Sequence, residues 1–285
     1  MSKKYRYIAL IPILLLVARI SDVALNMELS SGFYKSSNTE YHLAQLAVVI
    51  IAAVMLSHIL KNYTPPKSED IWLGGTGFVL FAASGFALGY ANIRKLCEII
   101  RMHPFHHFFM NREQLMQIGF SGGQFKFEFL CAVVGIAAAA WFVSASLPHF
   151  KGQTGLNGSR LFALVPVLWY CLRAVSMFVA APINSRDSVA VSIMVSCIIM
   201  ANLWYSIASY SAFSENKKQL QRISVCAFLS LVFTVAICIP NIVPLMSRAK
   251  AADAIMLAAD ALTAACGVYI ADSIIKRSKE KTDVQ

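Results

Sequence analysis

The sequence predicts an all-α fold: a polytopic transmembrane bundle of about eight helices, forming a single domain over residues 1–285. Three observations lead there. Of the 285 residues, 58% are hydrophobic and only 14% are charged, against roughly 45–50% and about 25% in ordinary soluble domains. Mean hydropathy is +0.61. Apolar runs of about 20 residues, enough to cross a hydrocarbon core of about 30 Å, recur along the chain. A segment in lipid must satisfy its own backbone hydrogen bonds, and an α-helix does so.

The runs are Tyr7–Leu25, Leu43–Leu60, Ile71–Tyr90, Leu130–Leu147, Leu161–Ala181, Val189–Phe213, Ile223–Val243 and Ala251–Ile275. The first follows a basic start, MSKKYRY, as a signal peptide would. Arg19 and Asp22, however, stand where small cleavage-site residues belong, and no A-x-A follows, so an uncleaved first helix is expected. The third run carries Gly85 and Gly89 as G-x-x-x-G, with Gly74, Gly77 and Ser84 near the same face. Small residues in that pattern let two helices approach closely.

Basic residues orient the bundle. With eight crossings, the side holding both termini carries Lys3, Lys4, Arg6, Lys61, Lys67, Lys151, Arg160, Lys217, Lys218, Arg222, Lys276, Arg277, Lys279 and Lys281. The other side carries Lys35, Arg94, Lys95, Arg101, Arg112, Lys126, Arg186, Arg248 and Lys250. The excess places both termini in the cytoplasm. A net charge of +10 is thereby absorbed as an orientation and headgroup signal. Spread over both sides with no clustered stripe, it does not point to nucleic acid.

The one long connection, 91–128, is expected to be an extended interfacial or extracytoplasmic loop. Ile93, Leu96, Cys97 and Ile100 recur at helical spacing opposite Arg94, Glu98 and Arg101, which suits either a surface helix or the protruding end of the third span. Phe105, Phe108, Phe109, Phe120, Phe125, Phe127 and Phe129 make it aromatic. His103, His106 and His107 have a spacing that could present imidazoles to a metal. Pro104 interrupts that turn, and no acidic or cysteine partner is adjacent. The histidines are therefore weak metal candidates, and neither a metal nor a cofactor is expected. The seven cysteines are odd in number and form no C-x-x-C, so they read as small apolar residues.

No catalytic constellation emerges. The stretch AASG at 82–85 resembles the serine motif of intramembrane rhomboid proteases, but that chemistry requires a histidine base on a later span. H-E-x-x-H and the phosphate-cradling G-x-x-x-x-G-K-[ST] are both absent. A polar stripe, Asn202, Tyr205, Ser206 and Ser209, is spaced to share one face of the sixth span. It could bond to neighbouring helices or line a wet cavity.

The sharpest feature is Arg173, alone in LWYCLRAVSMF at 168–178. An arginine at mid-bilayer costs at least about 2.5–3.5 kcal/mol, so it should face the bundle and find an acid. At about 1.5 Å per residue, Arg173 lies roughly 18 Å above the cytoplasmic end of its span. Asp260 runs the other way and lies roughly 12 Å from the outer end, the same level in a core of about 30 Å. Arg19 falls at a similar depth, with Asp22 one turn further out. These four form the expected intramembrane polar layer. Depth leaves rotation open, so Arg173 could instead meet Asp22. Asp253, Asp260, Ala264, Gly267 and Ala271 share one face of the last helix, making its acidic side also its close-packing side.

SSGFY after the first span, LVPVLWYCLRAVSMF and the closing basic tail together resemble, in layout, a loose group of bacterial multi-spanning membrane proteins with no assigned function. The resemblance implies a bacterial inner-membrane protein and carries over no catalytic residue. The expectation is a non-enzymatic plasma-membrane protein, a sensor or an assembly partner, bound to the lipid bilayer and pairing with a membrane protein or with itself. The alternative is a secondary transporter or channel-like protein that holds a small polar or anionic solute at the Arg/Asp layer.

Overall fold

A computed structural model of the chain describes residues 39–66, 71, 73–103, 105–117, 124–151, 162–180, 187–208, 218–234 and 251–280, together with 11, 14, 15, 17, 18, 20 and 21. The architecture is all-α. The helices are α1 (Thr39–Ile59), α2 (Gly74–Met102), α3 (Arg112–Gln117), α4 (Gln124–Phe150), α5 (Leu164–Ala180), α6 (Asp187–Leu203), α7 (Gln219–Phe233) and α8 (Ala251–Arg277). A π-helical turn, Trp204–Ala208, extends α6. Among the described residues, three helices are long and apolar enough to cross a membrane: Gly74–Met102, Phe125–Pro148 and Ala254–Arg277. Leu46–Ile59, Leu164–Val179, Ile193–Ala208 and Gln219–Phe233 are apolar but shorter. By length and composition, then, the described residues support three of the eight expected crossings.

The first part of the connection 91–128 is the protruding end of the third span, one of the two forms expected for it. Helix α2 runs without a break to Met102, and α4 begins at Gln124. The apolar spacing of Ile93, Leu96 and Ile100 continues that of the preceding run, and no proline intervenes before Pro104. The two helices form an antiparallel hairpin. Lys95 pairs with Glu128 at 2.9 Å near the turn. Further along, Phe81 meets Trp141 and Phe142 with ring centroids 6.0 and 5.9 Å apart.

Glycine sets how close these helices come. A β-carbon on Gly85 would lie 2.7 Å from Val143 Cγ2 and 2.9 Å from the Ala139 carbonyl oxygen. One on Gly135 would lie 2.2 Å from Asn92 Oδ1 and 2.5 Å from Trp169 Nε1, where α2, α4 and α5 converge. The G-x-x-x-G of α2 is therefore a packing surface against α4. At the start of α2, Gly74 has φ 63°, a left-handed conformation that glycine adopts without steric cost.

One end of the bundle gathers several helix ends. Tyr63–Thr64 pairs antiparallel with Lys279–Glu280, joining the segment after α1 to the segment after α8. Gln221 Nε2, in the first turn of α7, donates to the Ser57 carbonyl near the end of α1 at 3.0 Å. Gln219 Nε2 donates to the Tyr205 carbonyl at the end of α6 at 3.1 Å. The Tyr269 hydroxyl of α8 donates to the Leu73 carbonyl at the start of α2 at 2.9 Å. Helices α1 and α6 thus end where α2 and α7 begin, and α8 runs about two turns past the start of α2. Helix α8 packs against α2, α6 and α7 and carries a fully buried row that includes Ala259, Ala264, Cys266, Ile270 and Ile274.

Close approach at Gly135 can be tested by substitution. Gly135→Ala should lower stability by about 1–3 kcal/mol in a detergent unfolding experiment, as overpacking does. Gly75→Ala, where an added β-carbon meets nothing within 4 Å, should stay within about 0.5 kcal/mol. Equal losses at both sites would contradict the packing.

Candidate functional site

The charged centre of the bundle is made by α5 and α8. The guanidinium Nη1 of Arg173 donates to Oδ1 of Asp260 in a direct ion pair. The Tyr170 hydroxyl donates to the same carboxylate oxygen at 3.1 Å. Tyr170 is one turn before Arg173, so a single face of α5 supplies both donors. The Asp260 side chain is 1% exposed and that of Arg173 13% exposed.

Aromatic rings wall the pair. The Arg173 guanidinium carbon lies 5.4 Å from the Trp169 ring centroid and 5.9 Å from that of Tyr170. A cation held near those faces gains from the ring quadrupoles in addition to its carboxylate partner. Trp169 and Tyr170 themselves meet edge to face at 4.5 Å. A buried ion pair recovers its desolvation cost only through such added contacts. The arrangement neutralises both charges and holds α5 and α8 in one register. Of the four residues expected in a polar layer, Arg173 and Asp260 meet; Arg19 and Asp22 lie outside the described residues.

The stripe at 202–209 departs from its expected geometry. The helix changes to π winding at Trp204–Ala208, so the α-helical spacing that placed Asn202, Tyr205 and Ser206 on one face stops at Leu203. Asn202 and Ser206 are buried, and the Ser206 hydroxyl donates to the Asn202 carbonyl at 2.6 Å. Tyr205 is only partly buried and lies beneath Arg222, whose guanidinium carbon is 5.8 Å from its ring centroid. Ser209 lies outside the described residues.

The histidines sit at the tip of the α2–α4 hairpin. The His103 ring stacks on Phe125 at 4.2 Å, and its centroid is 6.4 Å from that of His107. The His106 side chain lies outside the described residues. Among the described residues, no group of three or more histidine, cysteine, aspartate or glutamate side chains is placed to hold a metal ion. Phe108 meets Phe125 at 5.1 Å and Phe129 at 4.9 Å, and Lys126 Nζ donates to the Met110 carbonyl at 2.6 Å. Asn111 and Gln114 exchange side-chain and backbone hydrogen bonds, both at 2.9 Å, capping α3. What the sequence presents as a loop is a folded head with its own aromatic centre. Ser84, the serine of the AASG stretch, is buried and donates to the Leu80 carbonyl at 2.7 Å, so it serves helix packing.

Sequence reasoning missed Tyr170 and Trp169. The signal for them was present: both lie within one turn of the lone arginine, where a ring or a hydroxyl can reach its counter-ion.

Charge exchange tests the pair. Arg173→Asp and Asp260→Arg should each cost about 3–5 kcal/mol, because each leaves like charges buried together. The double exchange should recover part of that loss. Strictly additive losses would separate the two residues energetically.

No family model, no curated protein and no solved structure matches the chain, and the reading of the site rests on its own geometry.

Proposed function

We propose that the chain is a non-enzymatic integral membrane protein of the bacterial plasma membrane. It crosses eight times with both termini in the cytoplasm and acts as an assembly partner or sensor through the head on its α2–α4 hairpin. The observation that carries this reading is the head itself. At about 1.5 Å per residue, α2 with its 29 residues is about 43 Å long, some 13 Å more than a hydrocarbon core of about 30 Å. The charges support that boundary. Arg94 and Glu98 pair at 3.4 Å and Lys95 and Glu128 at 2.9 Å, together marking where both helices leave the apolar layer.

Beyond those charges, the described residues of the head present apolar side chains outward. Phe109 is 79% exposed and Met102 65% exposed, beside the interlocked Phe108, Phe125 and Phe129. Exposed apolar groups outside the bilayer suit contact with a second membrane protein. The pairing of 63–64 with 279–280 supports an even number of crossings between them, as eight spans require. The buried Arg173–Asp260 pair fits a body whose helices are locked so that the head is held in place.

A photo-crosslinking amino acid tests the role of the head. Placed at Phe109, it should yield a discrete protein adduct in the native membrane. Placed at Phe86, 69% exposed in the middle of α2, it should yield lipid adducts only. Lipid adducts alone at both positions would refute docking through the head.

A further inference from the structure

Buried hydroxyls in these helices have a regular solution to burial. Ser84, Ser206, Ser224 and Thr263 each donate to the carbonyl four residues earlier, at 2.6 to 2.8 Å. Three buried side chains depart from it. Among the described residues, the Ser230 and Thr234 hydroxyls and both amide atoms of Asn202 have no hydrogen-bond partner, although these residues are 0%, 4% and 0% exposed. Buried polar groups are normally satisfied, so each exception needs a cause.

The three converge on one seam. Asn202 of α6 faces α8, since a β-carbon on Gly267 would lie 2.5 Å from its Nδ2. Asp260 lies seven residues earlier on α8, two turns away and on the same face. Gln219 of α7 faces α6, bonding to the Tyr205 carbonyl. Ser230 lies eleven residues on, three turns away and within about 20° of Gln219 at 3.6 residues per turn; Thr234 follows one turn later. Depths agree too. Counting from Tyr205 at about 1.5 Å per residue, Asp260 lies about 15 Å along the seam and Ser230 about 16 Å. The unpartnered groups therefore bracket the Arg173–Asp260 pair. Asn202 is on the side of the C-terminal end of α8, Ser230 is level with the pair, and Thr234 lies beyond it. The α-to-π change directly after Leu203 adds a local irregularity of the kind that accompanies functional sites.

We propose that Asn202, Ser230 and Thr234 line a polar passage between α6, α7 and α8 that takes small, uncharged hydrogen-bonding molecules, water being the smallest. The chemistry of the lining sets the class. An amide and two hydroxyls offer donors and acceptors without net charge, and the two charges beside them neutralise each other. Gly267 gives the amide its room. This role goes beyond docking through the head and stands whether or not the head has a partner.

Thiol labelling in native membranes tests the passage. Asn202→Cys, Ser230→Cys and Thr234→Cys are each exposed to neutral methyl methanethiosulfonate, and labelling is followed by peptide mass. The native Cys266, 1% exposed, and Ile199→Cys, at a 0% exposed apolar position on α6, serve as references. The three positions should react at least about tenfold faster than both references, and the anionic sulfonatoethyl reagent should not. Rates equal to the references would overturn the passage, and equal reaction with the anionic reagent would overturn the uncharged class. Asn202→Leu removes no hydrogen bond and should leave the melting temperature unchanged or raised. A lowered melting temperature would make the amide a structural group and overturn its assignment to the passage.

Discussion

A positive charge in an apolar helix has few places to go, and the bundle is arranged around the place this one takes. Arg173 reaches Asp260 across the interior, the carboxylate also accepts the Tyr170 hydroxyl, and Trp169 and Tyr170 cover the guanidinium. Removing either charge leaves the other buried without compensation, which is why the pair fixes the register of α5 against α8 more firmly than apolar contact alone. Apolar side chains can slide by a turn and find equivalent neighbours. A guanidinium and a carboxylate cannot.

The remaining helices make that meeting possible. Gly135 lets α4 approach the point where Asn92 of α2 and Trp169 of α5 come together, one turn from Arg173. Gly267 lets α6 approach α8 two turns from Asp260. Small residues thus flank both partners, and the α2–α4 hairpin, held by Gly85 and the Phe81, Trp141 and Phe142 rings, forms one wall of the enclosure. That same hairpin continues into the head, so the wall of the charge centre and the exposed Phe109 belong to one continuous packing unit. On the far side, α6 and α7 carry buried side-chain polar atoms with no hydrogen-bond partner among the described residues.

How much of this the sequence revealed follows from what each signal depends on. Composition is enough for the all-α membrane class, and helix rise is enough to bring Arg173 level with Asp260, because depth depends only on residue count. Rotation depends on packing, so the meeting of Arg173 with Asp260 had to come from the structure; Asp22 lies outside the described residues. The G-x-x-x-G of α2 was readable as a close-packing face because missing side chains are a local property. The π turn at Trp204–Ala208 was not, since nothing in the pattern of apolar residues announces a change of winding, and the stripe drawn through it lost its geometry. The stretch 91–102 was legible either as a surface helix or as the protruding end of the third span, and with no breaker before Pro104 the helix runs on unbroken to Met102. Apolar runs overstate helix length where, as at Leu161–Ala181, the described helix begins only at Leu164, with Pro166 in its first turn.

The central claim is that Arg173 and Asp260 are bonded to each other in the lipid-embedded protein. Magic-angle-spinning NMR on protein reconstituted in bilayers, with arginine side chains labelled with nitrogen-15 and aspartate with carbon-13, measures this directly. A through-space cross-peak between the Arg173 guanidinium and the Asp260 carboxyl carbon is expected, lost in Asp260→Asn samples prepared with the same labels. A spectrum in which Arg173 correlates with a different carboxylate, or in which the cross-peak persists in Asp260→Asn, would contradict the account.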